Sequence, residues 1–233
     1  MGLTINYSLR GTSPRLKDAR HAVQRLRAKA LDLPFARVGD VVELGEKECD
    51  FEQRDVDDPL RWLLIQAEGF VPRPPYYYRV KPHHLIAFST WPGEGCEEAN
   101  FGLARYGGTM ETRQGKMHTG LTGWRWSSFC KTQHASNSAC GGVENFLRCH
   151  LCVVRLLDNA RALGLVEEVH DEGGFWERRD LQALAQEVGE WNEIVAARVD
   201  QLKDLWGDEL VAPITSFANF EHLEAAGSRR QDG

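Results

Sequence analysis

At 233 residues, 42% of them hydrophobic and 27% charged, the chain is long enough to bury a sizeable core and ordinary in composition for a globular protein. A net charge of -6 and a pI near 5.8 argue against a surface built to hold nucleic acid, so that partner class is not expected. No stretch approaches the roughly 18 consecutive apolar residues of a membrane helix, which excludes a membrane-spanning reading.

The opening, MGLTINYSLRG, has no basic region followed by a long apolar run, so no secretory signal is expected. Asn6 stands where myristoylation wants Ser or Thr. Leu3, Ile5, Tyr7 and Leu9 alternate with Thr4, Asn6 and Ser8, the pattern of a half-buried strand. Ser13 and Pro14 then mark a helix start, and Leu16, Val23, Leu26 and Ala30 recur at helical spacing up to the limit set by Pro34. The positions Arg15, Lys17, Arg20, Arg25, Arg27 and Lys29 give this helix a basic surface, read as a solvated face. ARVGDVVEL reads as a second strand, which predicts an N-terminal βαβ unit with a right-handed crossover if its strands are parallel.

DDPLRWLLIQAEGF predicts a short helix capped by Asp57 or Asp58, with Pro59 in its first turn. VPRPPYYY is stiff and proline-rich, and marks a hinge or internal boundary near 70-75 within a single domain expected over 1-226. HHLIAFSTW, ANFGLARY and LTGWRWSSF read as strands, with GGTMETRQGKMHTG as an exposed loop between the last two. The last third is expected to be mostly helical. One helix spans about 143-163 and stops at Gly164, a short strand and turn occupy LVEEVHDEGG, and a long helix follows from near Asp180 to Trp206. Leu181, Leu184, Val188, Trp191, Val195, Leu202 and Leu205 form its apolar seam. A short helix in SFANFEHLEAA and a disordered tail over 227-233 close the reading. The predicted class is α+β, with a mixed or mostly antiparallel sheet and helices packed on one side.

Six cysteines without a signal peptide fit reduced thiols in a cytoplasm. Cys149 and Cys152, with His150 between them, have the spacing of a zinc half-site, and Cys130 and Cys140 would supply the missing ligands. The setting argues otherwise: Phe146, Leu147, Val153, Val154, Leu156 and Leu157 give the motif a helical, apolar surround. The preferred reading is therefore packed core with no cofactor, zinc being the alternative, and His150 is read as a hydrogen-bonded core residue. HDEGGFWERRD gathers acidic residues but lacks the alternating oxygens of a calcium loop; it reads as a turn, with Asp180 capping the next helix.

No Walker loop, dinucleotide fingerprint, G-x-S-x-G elbow or H-E-x-x-H is present. The functional expectation rests on the aromatic and polar region 83-134. Trp91, Trp124 and Trp126 would wall a small-molecule pocket, with Gln133 as a polar contact. Glu97, beside Glu94 and Glu98, would be an acid or base, and Lys131 an anion binder or nucleophile. Cys96 is a second candidate nucleophile, with His84 (or His83 or His118) as its base. These residues fit an enzyme or small-ligand binder, by acid-base hydrolysis or group transfer. The alternative is a non-catalytic adaptor or inhibitor using the C-terminal helix or the basic first helix. In that case Trp191 and Trp206 would mark a protein partner's surface or a homodimer contact.

Overall fold

The computed structural model describes residues 3-113 and 115-206. The helix expected in SFANFEHLEAA, the tail at 227-233 and the side chain of Trp206 lie outside what it describes. Strand β1 (Thr4–Arg10) follows its alternation: Ile5, Tyr7 and Leu9 are buried, while Asn6 and Arg10 are exposed. Helix α1 (Leu16–Leu31) buries Ala19, Val23, Leu26 and Ala30. Its N-cap position is Arg15, and the Ser13 hydroxyl accepts the Arg15 amide at 3.3 Å just outside the helix.

Two short strands follow, β2 (Arg37–Val38) and β3 (Val42–Gly45). Both pair antiparallel with the same edge of β6 (Pro82–Trp91), one after the other. Three further strands, β7 (Ala99–Tyr106), β10 (Trp124–Lys131) and β11 (Val166–Asp171), complete a seven-stranded sheet in which every neighbouring pair is antiparallel. From one edge its order is β11, β1, β10, β7, β6, with β2 and β3 sharing the far edge. The protein is thus α+β with an antiparallel sheet. Strand, helix and strand do succeed one another at the start, but β10, β7 and β6 stand between β1 and β2.

Helix α2 (Leu60–Gln66) begins as its sequence implies, with Asp58 Oδ1 accepting the Leu60 amide at 2.8 Å. The proline-rich stretch forms part of a hairpin of β4 (Gly69–Arg73) and β5 (Tyr76–Val80), turned at Pro74 and Pro75. The polar, glycine-rich segment expected as a loop is a second hairpin, β8 (Thr109–Thr112) and β9 (Gly115–His118). Helix α3 (Gly142–Ala162), the short α4 (Phe175–Arg178) and α5 (Leu181–Trp206) make up most of the remainder, with β11 between α3 and α4. Asp180 Oδ1 caps α5 by accepting the amides of Gln182 and Ala183 at 2.9 and 3.0 Å. No helix among the described residues is long and apolar enough to cross a membrane.

One seam in the sheet decides where a site can form. Pairing between β10 and β7 is confined to Trp124 with Arg105 and Arg125 with Ala104, whereas β6 and β7 pair along most of their length. Beyond Arg125 the two strands part, and the polar groups this frees inside the protein need other partners. The Asn100 carbonyl accepts from the Tyr7 hydroxyl at 2.7 Å and from Trp126 Nε1 at 2.8 Å. Gln66, at the end of α2, inserts its Oε1 to accept from Asn100 Nδ2 at 2.8 Å and Ser128 Oγ at 2.7 Å. The far end is closed where the Glu97 amide donates to the Lys131 carbonyl at 3.0 Å.

The helices do not all share one side. Asp171, the partner of Ile5 across the strands, bonds to His150 of α3, which places α3 on the Ile5, Tyr7 and Leu9 face. Helix α2 and the β4–β5 hairpin overlie the opposite, polar face of β1, where the splayed seam needs cover.

Candidate functional site

Between α2, the β4–β5 hairpin and the sheet lies a cavity of about 460 Å³. Its floor is laid by strand register. Glu168, Ser8 and Ser127 form one row across β11, β1 and β10, and His170, Asn6 and Phe129 form the next. Side chains two apart on a strand share a face, so both rows point into the same space. Trp62, Ile65 and Gln66 of α2 form one wall, and Phe70 and Arg79 of the hairpin another. Trp62 meets Phe129 edge to face, with ring centroids 6.4 Å apart.

The electrostatics of the lining are settled by pairing. Arg79 lies over the Phe70 ring, 5.8 Å from its centroid, and its Nη1 reaches Glu68 at 3.3 Å. Burial lifts the Glu68 carboxyl above its usual range despite that arginine. The Tyr7 phenol is pushed well up by burial, against the pull of Ser128, so it remains a neutral donor to the Asn100 carbonyl. Gln66 is more than nine-tenths buried, yet its Nε2 has no partner, and neither has Asn100 Oδ1. Turning both amides over would exchange donor for acceptor but would leave the same two positions unpartnered.

The residues that sequence reasoning singled out lie elsewhere, and in several different places. Trp124 and Trp126 are core residues, each 1% exposed, their indole nitrogens donating to the carbonyls of Pro14 and Asn100. Trp91 is half-buried and donates to the Cys96 carbonyl. Gln133 is fully buried and gives its Nε2 to Asn192 at 3.1 Å. His84 bonds to Glu43 at 3.1 Å and stands edge-on to Trp124. Glu97 is exposed, and its amide, like the Lys131 carbonyl, is spent on closing the seam. None of these residues lines the 460 Å³ cavity. Trp191 is partly buried against the core and donates to Glu187 at 3.1 Å.

Cys149 and Cys152 are buried on α3, Cys130 is buried on β10, and Cys140 lies in the turn before α3. Among the described residues no three of His, Cys, Asp and Glu converge as metal ligands would, these four cysteines included. His150 is fully buried between two partners, Thr132 Oγ1 at 3.0 Å and Asp171 Oδ2 at 3.1 Å. Asp171 also accepts the amides of Gly173 and Trp176, each at 2.9 Å. A hydroxyl, imidazole and carboxylate in line resemble a proton relay, but all three side chains are sealed in the core, where the set binds β11 and α4 to α3.

The cavity residues carry a signal of their own in the strand alternation. Asn6 and Ser8 are the polar half of the β1 alternation, and Ser127 and Phe129 hold the same phase in WRWSSF. Gln66 and the 40%-exposed Trp62 were legible only as helix positions. Compared with protein-family models, curated proteins and solved structures, the chain matches none.

Proposed function

We propose that this protein binds a small uncharged molecule, carrying a flat ring and a hydrogen-bonding edge, in the cavity beneath α2. The observation that carries this reading is a 460 Å³ cavity lined by the rings of Trp62, Phe70 and Phe129 together with Asn6, Ser8 and Ser127. Each hydrogen bond that the polar lining gives a ligand is worth about 0.5–1.5 kcal/mol. The volume falls within the range of small-molecule sites, and such sites combine apolar walls with a few aimed polar groups. Trp62, Phe70 and Phe129 supply aromatic surface for a ring. Asn6, Ser8 and Ser127 supply hydroxyl and amide contacts, and Glu168 and His170 add ionisable ones. The charges disfavour an anion: the lining arginine is already paired with Glu68, and Glu168 repels negative charge.

The test is ligand-observed NMR of the purified chain against neutral nucleobases, nucleosides, small aromatic amides and monosaccharides. Binding by a ring-bearing member is expected. Trp62→Ala should abolish it, and Ser127→Ala should weaken it by about 2- to 10-fold, the worth of one hydrogen bond. Absence of any binder, or a binder indifferent to Trp62→Ala in a folded variant, overturns the reading.

A further inference from the structure

A second cavity, of about 570 Å³, also opens against α2. It arises where β2 and β3 share one edge of β6 in succession, so that the chain between them leaves the sheet at Gly39 and Asp40. The Gly39 amide is tied back to the Ser89 carbonyl at 2.8 Å. Ahead of α2 the chain returns through a turn closed by the Asp58 amide on the Asp55 carbonyl at 3.1 Å, and this turn sets Val56 at the rim. Val56 is 79% exposed, Val42 and Leu60 are half-buried, and Leu63 is buried in the lining.

Five charged residues line this cavity as well, and each is already engaged. Arg37 pairs with Glu98, Asp40 with Arg27 at 2.7 Å, and Asp58 with Arg54 at 2.9 Å. Arg61 gives its Nη1 to the carbonyls of Phe51 and Arg54 at 2.8 and 2.9 Å. A charged ligand would have to displace one of these partners, whereas an uncharged apolar group need not. What the lining offers is aliphatic surface from Val42, Val56, Pro59 and Leu60. Trp62 and Ile65 line this cavity and the 460 Å³ cavity alike, so the two adjoin at those side chains.

We propose that the two cavities form one extended site, and that its ligand is a neutral ring carrying an apolar chain. The ring rests in the 460 Å³ cavity, and the chain passes Trp62 and Ile65 into the 570 Å³ cavity. This inference rests on the ring-binding reading above and adds the chain to it. The division of labour follows from the two linings. Rings and hydrogen-bonding side chains gather in the first cavity, and the second has aliphatic surface with its charges spent on one another. Each methylene drawn from water onto such surface strengthens binding by up to about fourfold.

The experiment is NMR titration of the full chain with benzamides bearing an alkyl chain opposite the amide, from methyl to hexyl. The ring and amide suit the first cavity, and the growing chain probes the second. Affinity should rise by about two- to fourfold with each added methylene. Leu60→Asp should cut the ratio of hexyl to methyl affinity by about tenfold or more, since it sets a carboxylate where the chain lies. The first turn of α2 suits an acidic residue, so the helix should tolerate this change. Nuclear Overhauser contacts should place the end of the hexyl chain against the methyls of Val56 and Leu60, which decides the matter in wild type even where the variant fails to fold. Benzamides that bind with no dependence on chain length overturn this inference and leave the ring site standing. A hexyl chain that touches neither Val56 nor Leu60 does the same. Failure of every member to bind overturns both readings together.

Discussion

At the scale of single residues, the strongest commitment in the molecule is the buried set Thr132, His150 and Asp171. The sequence made His150 legible as a core histidine on the apolar face of a helix, because its neighbours repeat at helical spacing. Its partner was not legible: Asp171 lies 21 positions away, in a stretch whose acidic residues look like a solvated turn. Burial pushes the Asp171 carboxyl up, but the hydrogen bond and charge of His150, with the amides of Trp176 and Gly173, outweigh it and hold the group below its usual value. A carboxyl depressed in the folded state stabilises fully above its unfolded pKa of about 3.9, and that contribution is lost as pH falls through the folded value. Urea unfolding of wild type should therefore show a stability decline below about pH 4 that is shallower in Asp171→Asn. Asp171→Ala should cost about 3–5 kcal/mol at neutral pH, since it leaves His150 and two amides without their acceptor. An Asp171→Asn chain with an acid limb as steep as wild type would refute the assignment.

At the scale of elements, alternation and periodicity located the long ones well. β1 and β10 alternate and α1 and α3 repeat at helical spacing, because burial of one face is a local property of sequence, while β6 and β7 are near-continuous runs buried on both faces. The two hairpins were hidden. Prolines in VPRPPYYY suggest a break, yet here they occupy a two-stranded ribbon outside the main sheet, where missing amide donors are tolerated. Glycines and charges in GGTMETRQGKMHTG likewise suit a ribbon with little apolar surface to bury. Gly102 makes a sharper point about strand contacts. It faces Ala87 across β6, and an added Cβ would stand 2.4 Å from the Ala87 Cβ and 2.6 Å from the Ile86 carbonyl oxygen. Backbone on that side cannot yield cheaply, so Gly102→Ala should lose about 1–3 kcal/mol. Differential scanning calorimetry should register this as a fall of roughly 2–4 °C per kcal/mol in Tm. An unchanged Tm would show that the two central strands have slack the structure does not contain.

At the scale of the whole molecule, the cavity is a product of topology. Its walls come from residues 6-8, 62-79, 127-129 and 168-170, which no window of sequence holds together. They meet because β1 lies between β10 and β11, and because β10 and β7 part beyond Arg125 and let Gln66 in. Sequence reasoning looked for the site in one dense aromatic region, but the indoles there, Trp124 and Trp126, are spent on the core. The same long-range logic fixes the role of α5. Leu184, Val188 and Ala196 are fully buried, and Asn192 joins Gln133 Nε2 at 3.1 Å and Ser136 Oγ at 2.9 Å. Helix α5 therefore belongs to the core through the residues from Leu184 to Ala196. Ending the chain at Asp180 forfeits the burial of Leu184 and Val188, about 1.5–3 kcal/mol each, from a total near 5–15 kcal/mol for a domain. Urea titration followed by tryptophan fluorescence should show the midpoint falling by a third or more, and the turn bearing Gln133 and Ser136 should gain hydrogen exchange. A shortened chain with the full-length midpoint would show instead that the sheet, α1 and α3 hold the fold without α5.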